Sequence, residues 1–372
     1  MRVLMLEPSG WGGIALYTHE LCSALAGQGI EVRLLNNVHR DDLSRYERNY
    51  EVIPLVRGDA WGKEWQRLRH AIDDYKPDIF HMQAAISSRR DLMAFLRHRL
   101  SGEAVRYIQT VHNVLPHETA FLERTSFAGM YRLADGLIVH SEASLRALYE
   151  LAPALKTPVS VIHHGHYGLL SDPDMGREEA LQQLELPDFR YLLCFGAIRP
   201  YKGVDWLLRS VAAISDWPED VKVLVAGNLL TGVSREELET LRAELGIEQR
   251  VLFQFKYFDE AEIPALFAAA DAMLFSYKHI DQSGVMMASL AAGKPVVCTP
   301  VGAFPEMVDD SVGYISDTVS VESFTHTLRQ ALAGRDRWTE QGRRAAEKAE
   351  RDYDWASAAE KTAAFYDKVC RV

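Results

Sequence analysis

The feature that most constrains this chain is an alternation of strand and helix patterns that runs, stops and then runs again. RVLMLE reads as a strand, IALYTHELCSALAGQG as a helix closed by Gly27 and Gly29, and EVRLLNN as a strand. WQRLRHAIDDYKPDIFHMQ reads as a helix, a stop marked by proline and a strand; RYIQTVHN is a further strand, and ADGLIVHSEASLRALYEL a strand and a helix. The pattern pauses over about residues 166–188, where Gly, Pro and Asp collect. It then restarts with YLLCFGA, VDWLLRSVAAI, VKVLVAG, REELETLRAELG, RVLFQF, EAEIPALFAAA and DAMLFSY, and ends in helices such as VESFTHTLRQALAG. Strands that alternate with helices predict a parallel sheet covered on both faces. Two such runs in 372 residues predict two doubly wound α/β domains, expected over 1–170 and 187–350 with the junction at about 166–188. Ligands of these sheets bind beyond the carboxyl ends of the strands, over helix N-termini, and a cleft between two such domains is the natural place for a site.

Four strand-to-helix turns carry glycine, which lets a backbone approach a ligand closely. EPSGWGGIALYTHEL has Gly10, Gly12 and Gly13, but Ala15 breaks the dinucleotide pattern G-x-G-x-x-G, and EVRLLNN ends in Asn36-Asn37 rather than an acid. In FGAIRPYKGVDWLL, Gly196, Arg199, Lys202 and Gly203 put two cations and a helix start within eight residues, which is the composition of an anion site. LVAGNLL supplies Gly227 and Asn228. DQSGVMMASLAAGKPVVCT opens a buried helix with Ser283, Gly284 and Val285, whose backbone amides suit phosphate oxygens. No Walker loop is present.

Composition excludes several classes. A net charge of −11 argues against a general nucleic-acid binder. The charge is uneven: Arg57–Arg106 holds 10 Lys+Arg against 7 Asp+Glu, with Trp61, Trp65 and Phe95 interleaved, which fits either solvated helix faces or a surface for an anionic lipid or acceptor. Cys22, Cys194, Cys298 and Cys370 form no C-x-x-C pair and read as free thiols, mostly buried, in a reducing, cytoplasmic setting. MRVLMLEPSGWGG is too poor in apolar residues for a signal peptide, and no run approaches the ~18 apolar residues of a membrane span.

Taken together, FGAIRPYKGVDWLL, KVLVAGNL and FDEAEIPALFAAADAMLFSYKHIDQSGVMMASLAAGKPVVCTPVGAFPEMV resemble the retaining GT-B glycosyltransferases, family 4 in particular; GGIALYTHEL, TVHNVLP, VHSEASL and VIHHG extend the resemblance to the first half. It implies two Rossmann-like domains facing across a cleft, with a C-terminal helix at about 354–372 packed back on the first. It also implies transfer of a hexose from a UDP- or GDP-sugar to a hydroxyl of a glycan or lipid-linked acceptor with retained configuration, in bacterial polysaccharide or cell-surface glycan synthesis. No cofactor beyond the donor and no metal are implied; a peripheral contact with the inner face of the membrane is compatible. Lys202 matches the family's diphosphate-binding lysine, Gly12 and Gly13 its loop facing phosphate and acceptor, and His112 the histidine that contacts the transferring sugar. Asp281 occupies the first acid of the E-x7-E motif. Gly196, Gly227, Asn228, Ser283, Gly284, Val285 and Ser289 complete the expected donor site, while Glu306 matches a frequent acid given no role beyond structure.

The chain departs from the pattern in three places. Ala197 stands where the family carries arginine, leaving Arg199 as the nearby cation; the first motif acid is the shorter Asp281; the second is Ser289, which either meets the donor ribose or bonds its own helix. Asp172-Pro173-Asp174 reads as junction acids rather than a metal pair, and His112, His117, His163, His164 and His166 match no zinc spacing. A nucleotide-sugar epimerase, a sugar phosphorylase, a non-catalytic sugar-nucleotide binding protein and an inactive glycosyltransferase are the alternatives. Two cationic phosphate loops speak against a binder of neutral sugars.

Overall fold

The computed structural model describes residues 1–57, 64–83, 105–115 and 121–371. Trp61, Arg89, Arg90, Phe95, Arg97 and His117 lie outside the described residues, and so do the side-chain surroundings of Trp65. The chain forms two compact units, residues 1–165 with 353–372, and residues 166–352.

The first unit holds a seven-stranded sheet ordered β3-β2-β1-β4-β5-β6-β7. Its strands are β1 (Arg2–Leu6), β2 (Glu31–Asn37), β3 (Glu51–Val56), β4 (Ile79–Met82), β5 (Arg106–Thr110), β6 (Gly136–Val139) and β7 (Val159–Val161). The second unit holds a six-stranded sheet ordered β10-β9-β8-β11-β12-β13. Its strands are β8 (Arg190–Phe195), β9 (Val221–Ala226), β10 (Val251–Gln254), β11 (Ala270–Phe275), β12 (Val296–Cys298) and β13 (Gly313–Ile315). The strand pairs in both sheets are parallel.

The central strands are continuous apolar runs because helices cover both faces. Val3, Leu4, Met5 and Leu6 in β1 and Leu192 and Leu193 in β8 are fully buried, and each such side chain contributes about 1.5–3 kcal/mol of burial. β3, β7 and β13, which the sequence pattern does not predict, are edge strands. β7 and β13 are only three residues long, and β3 carries Pro54, a residue that sheets tolerate at their edges.

The expected junction over 166–188 is not a linker. It contains the helix Arg177–Gln183, which packs on the helix Ile263–Ala269 and belongs to the second unit. Arg177 anchors it by donating to the Ala269 carbonyl at 2.7 Å and to Asp271 at 3.1 Å. The first boundary therefore falls at Gly165/His166, earlier than the Gly/Pro-rich composition suggests. The second falls at Asp352/Tyr353, between the helices Trp338–Asp352 and Trp355–Cys370. Asp354 caps the helix Trp355–Cys370, its carboxylate accepting from Ser357 N at 2.8 Å. That helix lies in the first unit: Tyr366 reaches His81, and Trp355 packs edge-on against Tyr17. Cys22, Cys194 and Cys298 are buried free thiols, and Cys370 is exposed.

Candidate active site

In each sheet the strand order reverses at one point, beside β1 in the first and beside β8 in the second. Ligand crevices of doubly wound sheets form at such points. The sequence-predicted residues cluster there, each set within its own domain.

In the second domain, three glycines bring the ends of β8, β9 and β11 together. A Cβ on Gly227 would lie 2.1 Å from the Gly196 carbonyl oxygen, and one on Gly203 2.1 Å from the Ser276 oxygen. Both glycines have φ in the left-handed region, +142° and +65°. Gly196 faces Lys202 and Val285: its added Cβ would meet Lys202 Nζ at 2.8 Å and Val285 Cγ2 at 3.3 Å. Gly196 and Lys202, from one turn, are thus neighbours of Val285 in the helix Gly284–Ala291.

Lys202 ends the short 3-10 helix Pro200–Lys202 and is only 4% exposed. Its ammonium donates to the Phe195 carbonyl at 2.7 Å and lies 5.4 Å from the Tyr277 ring centroid. Among the described residues no carboxylate pairs with it. Burial pushes its pKa down to about 8, a nearby Cys194 acts in the opposite direction, and the exposed Arg199 beside it adds to the lowering. A buried ammonium without a counter-ion costs stability, and an anion at this turn would offset that cost.

Ser283 is the N-cap of the helix Gly284–Ala291, its hydroxyl accepting from Met286 N at 3.3 Å. Gly284 has no room for a side chain because a Cβ would lie 2.7 Å from the Tyr167 ring. Asn228 gives its backbone carbonyl to Ile198 N at 2.8 Å. Asp281 is half-buried, and its carbonyl accepts from Ala303 N at 3.1 Å. Ser289 is fully buried and donates to the Val285 carbonyl at 2.6 Å, four residues back on its own helix. Asp172 accepts from Asp174 N at 3.0 Å, a local turn in an exposed loop.

In the first domain, Glu7 builds the glycine loop. Its buried carboxylate accepts from Ser9 N at 3.0 Å and Gly10 N at 2.8 Å. A Cβ on Gly10 would collide with the Arg40 carbonyl oxygen at 2.0 Å, whereas Gly12 and Gly13 face open space. The helix Gly12–Gly27 starts without a side-chain cap and with no acid in its first turn. Trp11, just before it, is exposed and stacked by Arg40, whose guanidinium carbon lies 4.6 Å from the ring centroid.

His112 follows β5 and is half-buried. Its Nε2 lies 2.9 Å from Gln83 Oε1 and its Nδ1 3.3 Å from His140 Nε2. Tyr17 packs against the rings of His112, His140 and His164 at centroid distances of 4.8, 5.0 and 4.9 Å. Burial holds these histidines neutral: His140 is lowered to about 4, His164 and His81 to about 3, and His112 well below its ordinary value.

Sequence reasoning missed Glu7, Gln83 and His140. The signal for each was present as a polar residue ending an apolar strand run, in RVLMLE, IFHMQ and GLIVH.

Residues 11–166 match the family model described as Glycosyltransferase Family 4, and residues 189–334 the model described as Glycosyl transferases group 1. The D-inositol 3-phosphate glycosyltransferase of Corynebacterium aurimucosum is 25% identical over 379 residues, covering 94% of this chain and 89% of that one. Sucrose-phosphate synthase from Thermosynechococcus elongatus superposes with a TM-score of 0.78 at 17% identity, covering 99% and 98% of the two chains. Anabaena HepE, solved with UDP-glucose, does so with a TM-score of 0.78 at 19% identity, covering 99% and 100%. With one matched stretch on each sheet and this fold over nearly its whole length, the chain belongs to the GT-B glycosyltransferases of the family 4 and group 1 type.

Proposed function

We propose that the protein transfers a hexose from a nucleotide-diphosphate sugar to an acceptor hydroxyl with retention of configuration and without a metal ion. The observation that carries the donor half is Lys202, a buried ammonium bonded to a backbone carbonyl, neighbouring Gly196 and the start of the helix Gly284–Ala291. A diphosphate supplies the counter-charge this turn lacks. Cleavage of the bond between the anomeric carbon and the phosphate oxygen develops negative charge on the leaving group. Preorganised cations and amides stabilise it, typically by about 3 kcal/mol per donor. Lys202, Arg199 and the backbone at Ser283, Gly284 and Val285 fill that role, with Gly196, Gly227 and Asn228 shaping the turn.

Asp281 binds donor-sugar hydroxyls and His112 contacts the transferring sugar, while Gly12 and Gly13 line the loop toward phosphate and acceptor. The acceptor oxygen attacks the face from which the diphosphate leaves, and its proton passes to the departing phosphate oxygen. No carboxylate acts as nucleophile; a kinetically competent glycosyl adduct on Asp281 would overturn that step. The UDP-glucose bound to HepE supports a uridine donor, and the C. aurimucosum relative supports a phosphorylated or polyol acceptor.

The basic, Trp-containing composition of Arg57–Arg106 supports a lipid-linked acceptor. Among the described residues, no helix is long and apolar enough to cross a membrane. Unchanged activity and no loss of liposome binding after Arg89, Arg90 and Arg97 become Glu would remove this assignment.

The test of the donor site is thermal unfolding with UDP, GDP, ADP, CMP and NAD, each with EDTA. A ligand at ~100 times its dissociation constant adds about 2.7 kcal/mol. The reading expects one nucleoside diphosphate to stabilise the wild type and not Lys202→Ala. Stabilisation by none, or by NAD alone, would break it. The anomeric configuration of the product, read by NMR, tests retention.

A further inference from the structure

The histidines of the first domain form an ordered hydrogen-bond chain whose direction is set at one end. His140 Nδ1 lies 3.0 Å from the Ile162 carbonyl oxygen. A carbonyl only accepts, so His140 carries its proton on Nδ1. A neutral His140 then has a lone pair on Nε2, which faces His112 Nδ1 at 3.3 Å. His112 must donate there, so its proton is also on Nδ1 and its Nε2 holds a lone pair.

The partner of that lone pair is the Gln83 amide, with Oε1 at 2.9 Å. Two acceptors cannot bond each other. Turning the amide end for end resolves the conflict: its NH2 then donates to His112 Nε2. The displaced oxygen falls toward His81 Nε2, which lies 3.4 Å from the present amide nitrogen. His81 can donate from Nε2, because Tyr366 O–H serves its Nδ1 at 2.5 Å and Thr110 Oγ1 lies 2.8 Å from Nε2. The turn gives up the weak contact of the amide nitrogen with the Met5 thioether at 3.1 Å, and every ring nitrogen in the hydrogen-bond chain is then satisfied with neutral rings. The opposite amide orientation requires either His112 or His140 to carry two protons, and the packing of both rings against Tyr17, with His164 against His140, disfavours a charge on either.

We infer that His140 is a positioning residue: anchored on the Ile162 carbonyl, it locks His112 in the Nδ1–H tautomer so that Nε2 offers a lone pair, to Gln83 at rest and to a donating sugar hydroxyl in its place. The inference rests on the glycosyltransfer reading, which puts a sugar at His112. Histidine tautomers elsewhere are set in this way, by the hydrogen bond that the other ring nitrogen makes.

The experiment uses full-length protein labelled with 15N-histidine, with the His112 signals assigned by their loss in His112→Gln. The wild type should show a protonated-type shift at Nδ1 and a lone-pair-type shift at Nε2. His140→Phe, which keeps a ring but no acceptor, should release the tautomer. It should also lower kcat about 10- to 100-fold with a smaller change in donor KM, by analogy with the loss of a partner that orients a metal-bound histidine. His140→Gln, whose amide oxygen can accept from Nδ1–H, should restore most of both. Unfolding curves check that each variant folds, and the wild-type spectrum needs no variant.

A wild-type His112 without a proton on Nδ1 overturns the inference, as does equal behaviour of the Phe and Gln variants. A wild type with the expected tautomer but no sugar transfer overturns the functional reading instead.

Discussion

The two domains share a topology and a way of placing a loop, yet one furnishes a cationic turn and the other an uncharged cluster. Each sheet reverses its strand order next to a glycine turn at the carboxyl end of its first strand, and in each a collision with a backbone oxygen forbids a side chain at a key glycine. Beyond β8 the turn carries Lys202 and Arg199 and a helix start. Beyond β4, β5 and β6 the first domain offers Gln83 and His140, buried with Tyr17, and the half-buried His112, with both histidines held neutral. A cationic turn suits an anion that must be held, and a neutral set of acceptors and donors suits hydroxyl groups that must be oriented. The same fold therefore supplies two chemistries through the side chains that follow its strands.

Acid should separate the domains most strongly. His81, His140 and His164 are buried, with pKa values lowered to about 3, about 4 and about 3 from the ordinary 6.5. Between those values and 6.5 the unfolded chain binds more protons than the folded one. Their stability contribution is thus present above about pH 6.5 and is lost as pH falls below it. One unit below 6.5, each costs on the order of 1 kcal/mol, or a few kcal/mol together. Hydrogen exchange followed by peptide from neutral pH to about pH 5.5 should show β4, β5 and β6 losing protection before β8, β9 and β11. Equal loss in both sheets would break the comparison.

The glycines should sort by what surrounds them rather than by which loop holds them. Gly203→Ala meets the Ser276 oxygen at 2.1 Å with φ at +65°, so it should cost about 3 kcal/mol or fail to fold. Gly13→Ala faces open space in the first turn of a helix and should leave stability unchanged or raise it by about 0.5 kcal/mol. Chemical denaturation of both variants gives the answer. A stable Gly203→Ala would mean that the turn around Lys202 is looser than described.

Much of this was legible before the fold, because the signals were local. Continuous apolar runs between glycine turns mark buried parallel strands, and Gly196, Lys202 and Gly203 in one turn flag the place where the buried ammonium of the proposed donor site stands. What was not legible depends on tertiary partners. The 166–188 stretch looks like a linker by composition, yet Arg177, Ala180 and Leu181 tie its helix to the second domain. Glu7 and Gln83 look like ordinary strand ends until Gly10 N and His112 are found opposite them. The histidine chain joins residues separated by 28 and 29 positions, and no spacing rule links them.

Lys202 sharpens the comparison from the other side. Lys202→Met removes a buried charge while keeping an unbranched chain. The nucleotide-free protein should be as stable as wild type or more so, while affinity for the nucleoside diphosphate falls roughly 10- to 100-fold, the worth of a charge-assisted hydrogen bond. The wild type should also lose affinity as pH rises through about 8, where the free ammonium deprotonates; bound phosphate favours the charged form, so binding then takes up a proton. Calorimetry in two buffers of different ionisation heat measures that uptake. Affinity that is flat from pH 7 to 9 would remove Lys202 from the donor site.

The smallest effect is expected at Ser289. Its hydroxyl is committed to the Val285 carbonyl at 2.6 Å and is fully buried, on the same helix whose first turn is assigned to the diphosphate. A serine bonding back four residues in this way adds little to a helix and can bend it. Ser289→Ala leaves the Val285 carbonyl in its ordinary helical bond, so stability should change by less than about 1 kcal/mol. If the hydroxyl serves only its own helix, donor affinity should not change either, and ribose recognition falls to other groups. A clear loss of affinity with unchanged stability would show that Ser289 turns from its helix to the ribose when the donor binds, and the second domain would then read hydroxyls as well as charge.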